Sequence, residues 1–161
     1  MVSNKLKAYN KSIRASNVYD VAKVTPITKA NSLSKQLKNN IFLKREDLQP
    51  VFSFKVRGAY NKISKIKEKG ENRPVIAASA GNHAQGVARA AASRGLRATI
   101  VMPEDSPAGK IEGTKAYGAS VVLYDRYTES REDIGADIAS KNQAHLIKPD
   151  DDIRVISGQG T

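Results

Sequence analysis

Lys55 stands in the segment Ser53-Phe54-Lys55-Val56-Arg57-Gly58-Ala59. The preceding stretch, 46–51, lacks helical periodicity, whereas Phe54, Ala59, Ile63 and Ile66 recur at helical spacings. A helix therefore opens here, with Ser53 as its N-cap. Its first turn sets the Lys55 ammonium beside the positive end of the helix dipole, and Arg57 adds a second cation. Both disfavour the charged amine. A lysine in that position is a candidate nucleophile toward an aldehyde or ketone. The competing reading is a solvated lysine on a basic helix, and local chemistry alone leaves both open.

A second chemical stretch is Ser79-Ala80-Gly81-Asn82-His83, between a short apolar run and a helix of small residues. In a parallel α/β sheet, ligands bind beyond the carboxyl ends of the strands. Gly81 can take a backbone conformation closed to other residues. The N–H groups that follow would open a helix and suit a carboxylate or phosphate. Asn82 adds a side-chain donor. A tight turn capped by Ser79 or Asn82 explains the same residues without a ligand. Gly81, Gly86 and Glu104 loosely mimic a dinucleotide fingerprint, but Ser79 occupies its first glycine position.

The elements that would position these residues are legible from apolar spacing. A short basic helix is expected over 4–15, a further helical turn or two over 17–23, and extended chain over 24–27 before and after Pro26. A helix over 30–37 would use Leu33 and Leu37 as an apolar pair, and 41–43 reads as a strand. The Lys55 helix ends near Gly70. After Pro74 four apolar runs, 75–78, 98–102, 120–124 and 144–147, alternate with helices over 83–94, 107–117 and 129–141. Ala84, Val87, Ala88 and Ala91 form the buried stripe of the first of these, which Gly95 ends. Continuous apolar runs alternating with helices indicate βαβ units around a parallel sheet covered on both faces. The predicted class is α/β, a three-layer αβα arrangement with a mostly parallel sheet.

A chain of 161 residues is long enough for one such domain. It has no cysteine, which removes disulfides, thiolate metal sites and cysteine nucleophiles. Two histidines, His83 and His145, make a histidine-rich metal centre unfavoured, and no apolar run spans a bilayer. The net charge of +11 is uneven: residues 1–75 hold 17 Lys and Arg against 5 Asp and Glu, and residues 76–161 hold 10 against 11. The lysines are scattered over polar helix faces with few interleaved aromatics, which argues against nucleic acid as a partner. The first nineteen residues carry Lys5, Lys7, Lys11 and Arg14 and no acid, as organelle transit peptides do. Arginine is sparse and no cleavage-like break follows, so an ordinary first helix in a cytoplasmic protein is expected, with organelle import as the alternative.

Four stretches together carry a resemblance. Lys44-Arg45-Glu46-Asp47-Leu48-Gln49-Pro50-Val51-Phe52-Ser53-Phe54-Lys55-Val56-Arg57-Gly58-Ala59-Tyr60-Asn61 resembles the lysine segment of the threonine dehydratases (threonine ammonia-lyases, biosynthetic type). These are pyridoxal-phosphate enzymes of the tryptophan-synthase-β fold type. Ser79-Ala80-Gly81-Asn82-His83-Ala84-Gln85-Gly86 is similar to their second segment, and Val155-Ile156-Ser157-Gly158-Gln159-Gly160-Thr161 to the entry of their next helix. Val18-Tyr19-Asp20-Val21-Ala22 with Thr25-Pro26 resembles their N-terminal stretch.

The resemblance implies a cofactor, pyridoxal 5'-phosphate, held covalently by Lys55, which also takes the substrate's α-proton. Phe54 would pack near the cofactor ring and Asn82 would hydrogen-bond its phenolic oxygen. Ser79, Gly81, Asn82 and His83 would receive the substrate carboxylate, mainly through backbone N–H groups, leaving the His83 ring structural. The implied reaction is β-elimination from L-threonine or L-serine to a 2-oxo acid and ammonia, the first step of isoleucine biosynthesis when threonine is the substrate. Related racemases carry serine where Ala80 stands, so alanine implies elimination.

By the same resemblance, 1–48 would be the N-terminal segment of the large domain, 49–148 the small α/β domain, and 149–161 the return into the large domain. The family's glycine-rich phosphate loop has no counterpart up to Thr161, and Lys148 and Asp150 are more polar than usual for their segment. The expected partners are therefore a complementing C-terminal half or a second copy in a homo-oligomer, with neither nucleic acid nor membrane. Alone, the chain would hold cofactor weakly. The alternative is a non-catalytic remnant acting as a small α/β binding module.

Overall fold

The computed structural model describes residues 4–161 of the chain. It begins with α1 (Asn4–Arg14), then β1 (Ile27–Lys29), α2 (Asn31–Gln36) and β2 (Phe42–Lys44). β1 and β2 pair antiparallel, Ile27 opposite Lys44 and Lys29 opposite Phe42, as a separate two-stranded sheet. Residues 17–23 form a single turn, within the one or two expected, closed by the Val21 and Ala22 N–H groups on the Val18 carbonyl. One expectation fails in this region. Leu33 and Leu37 are exposed, and α2 buries Ser34 instead, whose Oγ accepts from the Ile41 N–H at 2.9 Å. A six-residue helix between two strands is held by that polar contact and reaches no core.

The second part follows the predicted alternation. α3 (Lys55–Lys67) leads to β3 (Val75–Ala78), α4 (Asn82–Ser93), β4 (Ala98–Pro103), α5 (Ala108–Ala116), β5 (Ser120–Tyr124), α6 (Arg131–Lys141) and β6 (His145–Leu146). The four strands form one parallel sheet in the order β5-β4-β3-β6. Strand parity assigns the faces. Val75, Ala77, Ile100 and Met102 belong to the larger core with Val56, Ala59 and Ile63 of α3 and Ala84, Val87, Ala88 and Ala91 of α4. Ile76, Val101 and Tyr124 point the other way, toward Ile134 and Ile138 of α6. Helices thus cover both faces, as continuous apolar strands require.

α7 (Ile153–Gln159) closes the chain against α3. Its approach depends on paired glycines. A Cβ on Gly158 would lie 2.5 Å from the Arg57 carbonyl oxygen and 2.8 Å from the Gly58 Cα. Asp152 caps α7 by accepting from the Arg154 N–H at 2.9 Å and forms an ion pair with Lys62 of α3. Among the described residues, no helix is long and apolar enough to cross a membrane.

Candidate active site at the carboxyl end of the sheet

Lys55 is the first residue of α3, as its spacing predicts, but the helix start is built differently from the expectation. Phe54 holds the cap position in helical conformation with no side-chain cap, and the Ser53 Oγ is buried without a hydrogen-bond partner. The turn is tightened by the backbone, the Arg57 N–H donating to the Phe54 carbonyl at 3.0 Å. The half-buried Lys55 Nζ donates to the Pro149 carbonyl at 3.1 Å, 94 residues away in sequence. It also lies 5.3 Å from the centre of the Phe54 ring, which is itself exposed.

Arg57 does not act on Lys55 in the way its proximity in sequence suggests. Two residues along a helix is about 200° around its axis, and the guanidinium is buried on that other side. Its Nε and Nη2 grip both oxygens of Glu46 at 2.7 and 2.9 Å, and it also donates to the Lys23 carbonyl and the Thr161 Oγ1. Burial pushes the Glu46 carboxyl up, but hydrogen bonds from Arg57, Thr25 and Gln49 outweigh it and bring the pKa down to about 2. The positive charge of Arg57 is therefore matched by a neighbouring carboxylate, and its effect is to tie residues 23–46 to α3.

The second segment lies where the parallel sheet predicts, between β3 and α4. Gly81 caps α4 with φ −164°, an extended backbone open to any residue, so the expected glycine-only conformation is absent. What Gly81 supplies is space: a Cβ there would meet no atom within 4 Å. The Ser79 Oγ accepts from the Gly81 N–H at 3.3 Å. No side chain caps α4, and its first-turn N–H groups, at Asn82, His83 and Ala84, meet no acceptor among the described residues. They form an oriented donor set at the positive end of a twelve-residue helix.

His83 is buried at the foot of this turn, with its Nε2 2.8 Å from the Ile147 carbonyl oxygen. A carbonyl only accepts, so Nε2 carries the hydrogen and Nδ1 is the bare nitrogen. Desolvation lowers the His83 pKa below its ordinary value, against the opposing effect of the Ile147 hydrogen bond. The ring is neutral and links α4 to the end of β6. Asn82 is exposed, and its Oδ1 accepts from Lys110 Nζ at 2.8 Å.

Beside these groups lies a cavity of about 290 Å³. Ala78, Ile147 and Pro149 give it an apolar wall, and Arg131, Lys148 and Asp150 a charged rim. Pro149 is shared with the Lys55 contact, so the lysine and the cavity occupy the same end of the sheet. Four contributors escaped sequence reasoning: the Pro149 carbonyl, Arg131, Lys110 and Gly86. Each takes its place from segments that the fold brings together, and no local spacing marks them.

Residues 18–161 match the family of pyridoxal-phosphate dependent enzymes. The chain belongs to that family. It is 44% identical over 153 residues to the biosynthetic L-threonine dehydratase of Pasteurella multocida, covering 95% of this chain and 30% of that protein. Its fold is similar to the processed form of threonine deaminase isoform 2 from Solanum lycopersicum, with a TM-score of 0.88 at 44% identity over 99% of this chain and 47% of that one. Maize serine racemase is similar with a TM-score of 0.86 at 36% identity, over 93% of this chain and 46% of that one. The chain thus spans less than half the length of these relatives.

The residues present fit the family's cofactor. The half-buried Lys55 amine faces the Pro149 carbonyl, an exposed aromatic ring lies beside it, and an uncapped helix start with empty space at Gly81 lies at the same sheet end. The amine suits the aldehyde of such a cofactor, and the free backbone donors suit a carboxylate.

Proposed function

We propose that this chain is the N-terminal part of a pyridoxal-phosphate-dependent lyase that converts L-threonine to 2-oxobutanoate and ammonia, with L-serine as a second substrate. The observation that carries the reading is the Lys55 amine, seated on the Pro149 carbonyl at the same sheet end as the uncapped start of α4. It is supported by the 44% identity to a protein named as a threonine dehydratase.

In this reading Lys55 Nζ would hold the cofactor and would also take the substrate's α-proton. The bound cofactor would supply the electron sink for the pair left on the α-carbon. Phe54 would pack near the ring, and Asn82 would donate from Nδ2 to the ring oxygen. Ser79 Oγ and the N–H groups of Asn82 and His83 receive the substrate carboxylate, and the missing side chain of Gly81 leaves room for it. Ala80 stands where the resembling racemases carry serine, and we infer elimination in preference to racemisation. Residues 49–148 act as the small domain and 1–48 with 149–161 as parts of a large domain. The remaining part comes from a complementing chain or from further sequence, and the product leads into isoleucine biosynthesis in the cytoplasm.

The test is 2-oxo acid release from L-threonine and L-serine with pyridoxal phosphate, by the chain alone and with a chain supplying the second half of the fold. Release that depends on Lys55 supports the reading. Conversion of L-serine to D-serine without 2-oxo acid overturns it in favour of racemisation.

A further inference from the structure

Lys110 lies in the first turn of α5, where a cation opposes the helix dipole. It is nevertheless half-buried and tightly engaged. Its Nζ donates to Asn82 Oδ1 at 2.8 Å and to Gln85 Oε1 at 3.1 Å, both on α4. The surroundings are shaped for this bridge. Gln85 is buried, and its amide occupies space that a side chain on Gly113 would take, a Cβ there falling 2.3 Å from Gln85 Nε2. Thr114 Oγ1 donates to the Lys110 carbonyl at 2.7 Å across one turn of α5.

An ammonium ion donates and never accepts. Held against Lys110, the Asn82 amide must turn its oxygen inward and leave Nδ2 as the group it presents. A freely rotating asparagine would offer donor and acceptor alternately. We propose that Lys110 is a positioning residue that orients the Asn82 amide as a hydrogen-bond donor toward the cofactor's ring oxygen. This rests on the reading of Asn82 given above and deepens it.

The positioning can be read without cofactor. In the nitrogen-15-labelled chain the Asn82 side-chain NH2 pair is assigned by its loss in Asn82→Ala. It should resonate apart from solvent-exposed amides, collapse onto them in Lys110→Met, and stay near its original place in Lys110→Arg, which still donates. Lys110→Ala serves if Lys110→Met does not fold. Titration with pyridoxal phosphate then reads the consequence. Loss of one hydrogen bond corresponds to roughly 2- to 10-fold weaker binding. The pH at which bound-cofactor absorbance changes should move in Lys110→Met in the same direction as in Asn82→Ala, with Lys110→Arg restoring it.

An NH2 pair unmoved in a folded Lys110→Met chain overturns the proposal while the site reading stands. A pair that moves while the absorbance profiles of all variants coincide overturns it too, because Asn82 then does not reach the ring. Absence of Lys55-bound cofactor in the unaltered chain, even with a chain supplying the second half of the fold, overturns the site reading itself, an outcome no Lys110 variant can produce.

Discussion

Gly86 of α4 faces the backbone of Lys55: a Cβ on Gly86 would lie 3.0 Å from the Lys55 carbonyl carbon and 3.1 Å from its oxygen. The first turn of α3 is thereby pressed directly onto α4, and the same contact sets where Lys55 stands relative to the Ser79–Asn82 turn. Alanine in a helix interior is intrinsically better than glycine by about 0.5–1 kcal/mol. Overpacking against backbone, which cannot swing aside, costs about 1–3 kcal/mol. Gly86→Ala should therefore be net destabilising by about 1 kcal/mol in urea unfolding, and should reduce cofactor attachment at Lys55 more than a neutral surface change does.

The Arg57–Glu46 pair predicts a specific acid sensitivity. The carboxyl is held down to about 2 in the fold, against about 4.3 in an unfolded chain. A depressed carboxyl contributes stability that is fully present above the unfolded value and is lost as pH falls through the folded one. Stability should thus decline between about pH 4.5 and 2, and Glu46→Gln should flatten that decline. Glu46→Ala leaves a buried guanidinium unpaired and should cost about 3–5 kcal/mol at neutral pH. Denaturant midpoints across pH check both.

His83 should titrate below its ordinary value, since burial disfavours the imidazolium. The sign is the same as for Glu46: its contribution is complete above about pH 6.5 and is lost as pH falls further. The ring carbon resonances followed by NMR should show a midpoint below 6.5. His83→Ala removes the bond to the Ile147 carbonyl and should destabilise by about 1–3 kcal/mol.

Gly158→Ala should be more damaging than Gly86→Ala. Its Cβ would fall 2.5 Å from the Arg57 carbonyl oxygen, against 3.0 Å for the closest approach at Gly86. The expected result is an unseated α7, seen as loss of protection from hydrogen exchange over 153–159 while the parallel sheet keeps its protection.

The parallel sheet was readable because its strands carry continuous apolar runs and α4 an unbroken stripe of small apolar residues. β5 falls on the predicted residues, and the alanine stripe of α4 is buried as expected. The first fifty residues were less readable for a physical reason. Beyond the buried Val18, Val21 and Ala22, much of their order comes from polar ties, such as Glu46 with Arg57 and Thr25 and Ser34 with Ile41. Lys55 and Ser79–His83 were conspicuous by residue type. Lys110 and Gly86 were not, because a lysine in a helix and a glycine among alanines take their meaning only from α4 meeting α5 and α3. Ser53 misled because a serine before a helix ordinarily caps it, whereas here its hydroxyl is buried inside the bend.

The most direct measurement is cofactor trapping. The purified chain is incubated with pyridoxal phosphate, reduced with borohydride and mapped by peptide mass spectrometry beside a Lys55→Ala control. The predicted result is one labelled peptide containing Lys55, lost in the control. Label spread over surface lysines and unchanged by Lys55→Ala would contradict the assignment of Lys55 and leave a small α/β binding module.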